Sequence, residues 1–233
     1  MDELRLPARR LRSVYRTLLT GHGPQDWWPG DTPFEIMVGA VLTQNTAWSN
    51  VERAIANLKA QHALDPRAIV EAPPQRLAQW IRPSGYFNVK AQRLRSFCLW
   101  YREAGGLRKL SRRPTARLRE ALLAVHGVGP ETADDILLYA FRRPVFVIDA
   151  YTRRIFARLG LIRGPEPYEV LRLGFERALG ADTSLFNEYH ALLVIHGKGM
   201  CRPRPRCGEC ALRRTCPSAR ANPGETRSSD SGR

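Results

Sequence analysis

Apolar residues return at intervals of three and four along almost the whole chain. LRSVYRTLL (11–19), FEIMVGAVLT (34–43), NVERAIANLKA (50–60), VKAQRLRSFCLWYREA (89–104), ARLREALLAV (116–125), ETADDILLYAF (131–141), AYTRRIFARLG (150–160), EVLRLGFERAL (169–179) and LFNEYHALLVIHG (185–197) all carry this spacing, which lines one face of an α-helix. Proline and glycine stand between them, at Pro24, Pro29-Gly30, Pro73-Pro74, Pro83-Ser84-Gly85, Gly105-Gly106, Pro144 and Gly164-Pro165, and cut the pattern into separate elements. Val145–Ile148 is the one β-like run, and it is short. The pattern predicts an all-α protein of about ten helices with no internal repeat. With 233 residues the chain has enough length to bury a core, as one large domain or two small ones.

Charge narrows the partners. The net charge is +15 and the sequence pI ≈ 10.5, and of 37 basic residues only Lys59, Lys90, Lys109 and Lys198 are lysine. Such a field attracts polyanions, and its spread through predicted helices, rather than in a block beside an amphipathic anchor, favours nucleic acid over a membrane surface. The start MDELRLPARR lacks the apolar run of a secretory signal, and no stretch of eighteen apolar residues is present to span a membrane. A cytoplasmic protein with reduced thiols is therefore expected. The segment from Pro217 to the end is polar and rich in Gly and Ser, and is expected to be disordered.

Four of the five cysteines, Cys201, Cys207, Cys210 and Cys216, fall in one loop with the spacing C-x5-C-x2-C-x5-C. A disulfide knot, a zinc site and an iron–sulfur cluster are the candidates. Reducing surroundings disfavour the first. Structural zinc usually takes two separated CxxC pairs, whereas only Cys207 and Cys210 form a close pair here, so the spacing suits the corners of a [4Fe–4S] cubane better. Cys98, alone in a helical stretch, reads as a core residue.

Two further features carry candidate chemistry. In His126-Gly127-Val128-Gly129-Pro130-Glu131-Thr132-Ala133 the two glycines permit positive φ twice, and Pro130 is suited to a first helical turn. Consecutive N–H groups beside a helix N-terminus make a pocket for a phosphate oxygen, although a plain helix–turn–helix corner has the same pattern. Asp149 follows the apolar run and precedes a helix, which fits a catalytic carboxylate or an ordinary N-cap.

The turn HGVGPETA, the aspartate eighteen residues beyond Glu131 in VIDAYTRRIF, and the terminal four-cysteine loop together resemble the endonuclease III branch of the helix–hairpin–helix (HhH-GPD) DNA glycosylases, over residues 30–216. A narrower resemblance, to the monofunctional alkylpurine (3-methyladenine) glycosylases of that branch, runs through WWP (27–29), VLTQNTAW (41–48) and ETADDILLYAFRRPVFVIDAYTRRIF (131–156). The resemblance implies a two-domain, all-α fold: residues 30–140 as a six-helix domain bearing the hairpin, residues 1–29 with 141–216 as an iron–sulfur domain, and 217–233 as a tail. It implies a monomeric enzyme of base excision repair that acts on double-stranded DNA containing a damaged base, with the base bound in the cleft between the domains. An alkylated purine is the expected lesion; oxidised pyrimidines or mismatched uracil or thymine on the same scaffold, and a non-catalytic binder of damaged DNA, are the alternatives.

The same resemblance assigns roles. Asp149 becomes the catalytic carboxylate, and Cys201, Cys207, Cys210 and Cys216 hold a structural [4Fe–4S] cluster, while Arg202, Arg204 and Arg206, with Arg213 and Arg214, face phosphates. Trp27, Trp28 and Trp48 are placed at the lesion pocket, where an aromatic face attracts a cationic base. Gln44 is placed as the plug that fills the gap left by the flipped base, and Tyr86 as the wedge on the opposite strand. Gly127, Val128 and Gly129 contact the DNA backbone. Two departures stand out. Bifunctional members carry a lysine at the position of Glu131, and a carboxylate cannot form their imine with C1′; no other lysine stands near the turn in sequence. Glu131 is then left to complement the helix dipole or to line the pocket. Five residues, rather than the family's six, also separate the first two cysteines.

Overall fold

The computed structural model describes residues 4–27 and 30–221. Along these residues run α1 (Ala8–His22), α2 (Pro33–Leu42), α3 (Trp48–Ala60), α4 (Pro66–Glu71), α5 (Pro74–Trp80), α6 (Phe87–Glu103), α7 (Gly106–Leu110), α8 (Thr115–Leu123), α9 (Pro130–Asp135), α10 (Ala150–Arg158), α11 (Tyr168–Leu179), α12 (Thr183–Gly199) and α13 (Pro217–Ala221). Short 3-10 turns cover Arg82–Ser84 and Cys207–Glu209, and no β-strand occurs among the described residues.

Each long periodic stretch forms a helix. The short α4, α5 and α7 carry too few turns to show a period, so only their caps announce them. In α4 the Asp65 carboxylate accepts from the N–H groups of Arg67 and Ala68, with Pro66 in the first turn. The stretch 131–141 is one helix only as far as Asp135, and continues as a π-turn over Ile136–Ala140. Residues 217–221 of the expected tail are also helical: Ala219 is buried, and Ser218 Oγ donates to the carbonyl of Arg158. The remainder of that tail lies outside the described residues.

The chain forms two compact units, Trp28–Arg143 and Met1–Trp27 with Pro144–Arg233. In the first, α2 is the central element, with Glu35 through Leu42 all buried, and it packs on α3, α6, α9 and the π-turn. In the second, α12 packs on α1 and α10, around Phe146, Phe156, Phe175, Phe186 and Tyr189. The rings of Phe146 and Phe175 stack at 4.6 Å, and Tyr189 donates to the carbonyl of Leu11 at 2.8 Å.

The β-like run Val145–Ile148 belongs to this core. All four of its residues are buried, but in place of a sheet partner its backbone takes side chains: the N–H of Phe146 donates to Glu176 at 3.0 Å and that of Ile148 to the Tyr168 hydroxyl at 3.4 Å. Such a buried, extended segment fixes where the next residue, Asp149, emerges.

Candidate DNA-glycosylase site

In the second unit Asp149 is the N-cap of α10, and its Oδ1 accepts from the N–H of Thr152 at 2.6 Å. It is only 8% exposed, and its Oδ2 lies 3.6 Å from Nε2 of His190 on α12. Burial pushes the Asp149 pKa up, but His190 and the Thr152 N–H outweigh it and hold the carboxyl below its ordinary value. Asp149 is thus both a cap and a buried carboxylate, and the capping bond aims its second oxygen.

The last turn of α10 grips the cysteine loop. Arg158 donates to Cys201 Sγ at 3.3 Å and to the carbonyls of Arg202 and Pro203 at 2.6 and 2.9 Å, and Arg154 donates to the carbonyls of Cys201 and Gly197. All four loop cysteines are free thiols. Burial raises the Cys210 thiol against the backbone hydrogen bond at Leu212, and the charges of Cys201, Cys207 and Cys216 add to the rise. The His196 ring sits between Cys210 Sγ at 3.6 Å and the His22 ring at 3.0 Å. Among the described residues no three His, Cys, Asp or Glu side chains close around a point suited to one metal ion. The donor set itself, four unoxidised thiols with N–H groups of Arg158 on a sulfur, fits a thiolate-bound anionic group. Arg202, Arg204, Arg206, Arg213 and Arg214 are all exposed on this loop.

Trp27 is half-buried in this unit, with the Lys198 ammonium 5.9 Å from its ring centroid. The strap leading to it is pinned by Glu188, which accepts from the N–H groups of Gln25 and Asp26. Trp28 lies outside the described residues.

In the first unit, α8 and α9 with the turn between them form the helix–hairpin–helix. Arg119 of α8 grips the fully buried Asp134 of α9 with two hydrogen bonds, of 2.7 and 3.1 Å. Of the two hairpin glycines only Gly127 takes a positive φ, of 86°; Gly129 is extended (φ −91°, ψ 177°) and caps α9, which corrects the expectation of two left-handed residues. The reason is that Pro130 opens α9, so the chain must extend before it. A side chain at Gly127 would strike Arg93 of α6, whereas a Cβ at Gly129 would meet nothing within 4 Å, leaving that backbone approachable. The Val128 side chain is buried and its N–H bonds the carbonyl of Val125, so it is not one of the donors left for a phosphate. Glu131 is exposed in the first turn of α9.

Gln44 lies against this hairpin. Its amide donates to the Gly127 carbonyl and to Thr132 Oγ1, each at 3.0 Å, and its oxygen accepts from Arg93. Trp48 opens α3 half-buried, with its ring edge over Gly39, where a Cβ would stand 3.0 Å from Cη2. Tyr86 is left-handed (φ 44°) and 73% exposed at the N-terminus of α6, a large apolar ring held out in solvent. Sequence reading missed His190, Arg93 and Lys90. The first is one histidine among five and the others are two basic residues among 37, and their roles come only from the packing of α12 and α6.

These features, a helix–hairpin–helix with an approachable backbone in one unit and, in the other, a buried carboxylate capping the helix whose far end holds a cysteine loop, are those of a DNA glycosylase. The chain belongs to the HhH-GPD superfamily of base excision DNA repair proteins, whose profile matches residues 38–178. It is similar to a protein of Methanocaldococcus jannaschii provisionally named a DNA repair glycosylase, 44% identical over 206 residues that span 87% of this chain and 94% of that one. Among solved structures it resembles an H. pylori 3-methyladenine DNA glycosylase bound to 1,N6-ethenoadenine, at 31% identity and TM-score 0.67 over 82% of this chain and 95% of the other. A non-covalent endonuclease III–DNA complex shares the fold, at TM-score 0.79 and 20% identity over 93% and 98% of the two chains. The protein is a DNA-binding glycosylase of base excision repair, endonuclease III-like in fold.

Proposed function

We propose that the protein is a monofunctional glycosylase that hydrolyses the C1′–N bond of alkylated purines in duplex DNA. The observation that carries this reading is Glu131, an exposed carboxylate in the first turn of α9, directly after the hairpin, where the lyase chemistry of the family needs an amine. The fold does bring a lysine closer than the sequence suggests, because α6, which carries Lys90, reaches the hairpin through Arg93. The Lys90 ammonium, however, is 1% exposed and committed to the carbonyls of Leu42 and Ser84. Identity to a 3-methyladenine glycosylase across most of both chains supports the purine specificity.

A purine alkylated at N3 or N7 is cationic, so the electron pair of the breaking bond neutralises it and no acid need protonate it. The residues then have two tasks. Asp149, ionised at neutral pH, stabilises the positive charge that develops at C1′ and accepts a proton from the attacking water. Trp48 and Trp27 offer aromatic faces to the cationic base, each contact adding about 0.5–2 kcal/mol. Glu131, an anion, is compatible with such a base. Cys201, Cys207, Cys210 and Cys216 hold a [4Fe–4S] cluster, which supplies structural bracing to the arginine loop rather than chemistry. Incubation with an alkylated duplex in the presence of borohydride tests the reading: free base without any protein–DNA adduct supports it, and a trapped adduct refutes the monofunctional assignment.

A further inference from the structure

Lys90 is the least expected residue of the first unit: a fully buried ammonium in the first turn of α6, whose acceptors are two main-chain carbonyls. Its Nζ donates at 2.8 Å to Leu42, the last residue of α2, and at 2.6 Å to Ser84, the last residue of the 3-10 turn. Leu42 stands two residues before Gln44, and Ser84 two residues before Tyr86. One ammonium therefore joins the roots of the two segments to which the family resemblance assigns the plug and the wedge.

Both roots are otherwise built to turn sharply. Asn45 (φ 54°) follows one, and Gly85 (φ 70°) and Tyr86 (φ 44°) follow the other. Each root ends its own helical turn, with Thr43 N–H on the Gly39 carbonyl at 2.8 Å and Gly85 N–H on the Arg82 carbonyl at 3.2 Å, so the ammonium adds a bond between the roots rather than within either. Ser84 is itself fully buried and bonds the carbonyl of Ile81, which makes its carbonyl a fixed anchor. Burying an ammonium is costly unless each donor is satisfied, and an apolar side chain would fill the same space at lower cost. Burial and the neighbouring Arg93 pull the Lys90 pKa down to about 8, the mark of that cost.

We infer that Lys90 is a positioning residue that sets the spacing between the plug segment at Gln44 and the wedge at Tyr86, so that both enter the duplex in register. This rests on the reading that the chain opens the duplex at a lesion. It does not depend on which lesion is removed.

The test compares wild type with Lys90→Met, Lys90→Gln and Lys90→Arg on two duplexes. The first contains a stable abasic analogue with 2-aminopurine opposite it, and fluorescence at matched occupancy reports insertion. The second contains an alkylated purine, either paired or within a short unpaired bubble, where less unstacking is required. The expected result for Lys90→Met is unchanged affinity and salt dependence, loss of the fluorescence rise, and a fall in kcat of about 10²-fold on the paired lesion but much less in the bubble. Lys90→Gln, which keeps a donor, should recover part of both signals. Equal fluorescence and equal excision in wild type and Lys90→Met would overturn the inference, as would failure of all three variants to fold, which would make Lys90 a core residue. Absence of excision by wild type, with the fluorescence still dependent on Lys90, would overturn the purine reading and leave this one standing.

Discussion

Asp149 Oδ1 receives the Thr152 N–H at 2.6 Å, so that its other oxygen is turned to the buried His190 ring 3.6 Å away. Capping and catalysis are therefore separable. Asparagine is as good an N-cap as aspartate, so Asp149→Asn should melt within a few degrees of wild type while base release falls by about 10²–10⁴-fold. Asp149→Ala should lose the same activity and in addition about 1 kcal/mol of stability. Thermal melts beside single-turnover excision check both.

The pH dependence follows from the direction of the Asp149 shift. Its folded pKa lies below the unfolded value, so the ionised carboxylate contributes stability above the unfolded value and loses it as pH falls through the folded one. The stability difference between wild type and Asp149→Asn should shrink as pH falls below about 4. A difference that persists unchanged in acid would contradict the assigned ionisation.

Gln44 is a strut as well as a candidate plug. Its removal in Gln44→Ala leaves Arg93, Thr132 and the Gly127 carbonyl without this partner. A loss of about 1–3 kcal/mol is expected from denaturant unfolding, along with weaker excision from paired duplex.

How the fold could be read from the chain differs by element. The long helices were legible because buried stripes such as Leu11–Val14–Leu18 in α1 must repeat with the helical period. α4, α5 and α7 were not, since five to seven residues do not complete two turns. Asp149 and the cysteine loop stood out by residue type and spacing. The reading of paired left-handed glycines went wrong because Pro130 extends Gly129, a constraint local sequence contains but pattern counting passes over. Contacts of Gln44 with residues 83 and 88 positions away, and of Lys90 with Leu42, depend on how α2, α6 and the hairpin pack, and no local pattern encodes them.

Arg158 joins α10 to the cysteine loop by one sulfur and two carbonyls. The proposed [4Fe–4S] cluster predicts bound iron and a brown colour, and Arg158→Met should reduce both, with helix content by circular dichroism little changed. Full iron retention would show that the cysteines alone hold the loop.

The exposed loop arginines make a quantitative claim about DNA affinity. Each of Arg202, Arg204 and Arg206 that meets a phosphate should, when changed to Gln, reduce the slope of log K against log salt by about 0.9, with no change in lesion preference. An unaltered slope would remove that residue from the interface.

The central claim is hydrolytic removal of alkylated purines without strand cleavage. Base release from methylated duplex DNA, resolved by chromatography with strand breaks counted before and after hot alkali, tests it most directly. The account predicts free 3-methyladenine or 7-methylguanine, with breaks appearing only after alkali. Strand breaks without alkali, or release of a neutral pyrimidine lesion from other substrates with no methylpurine released here, would contradict it.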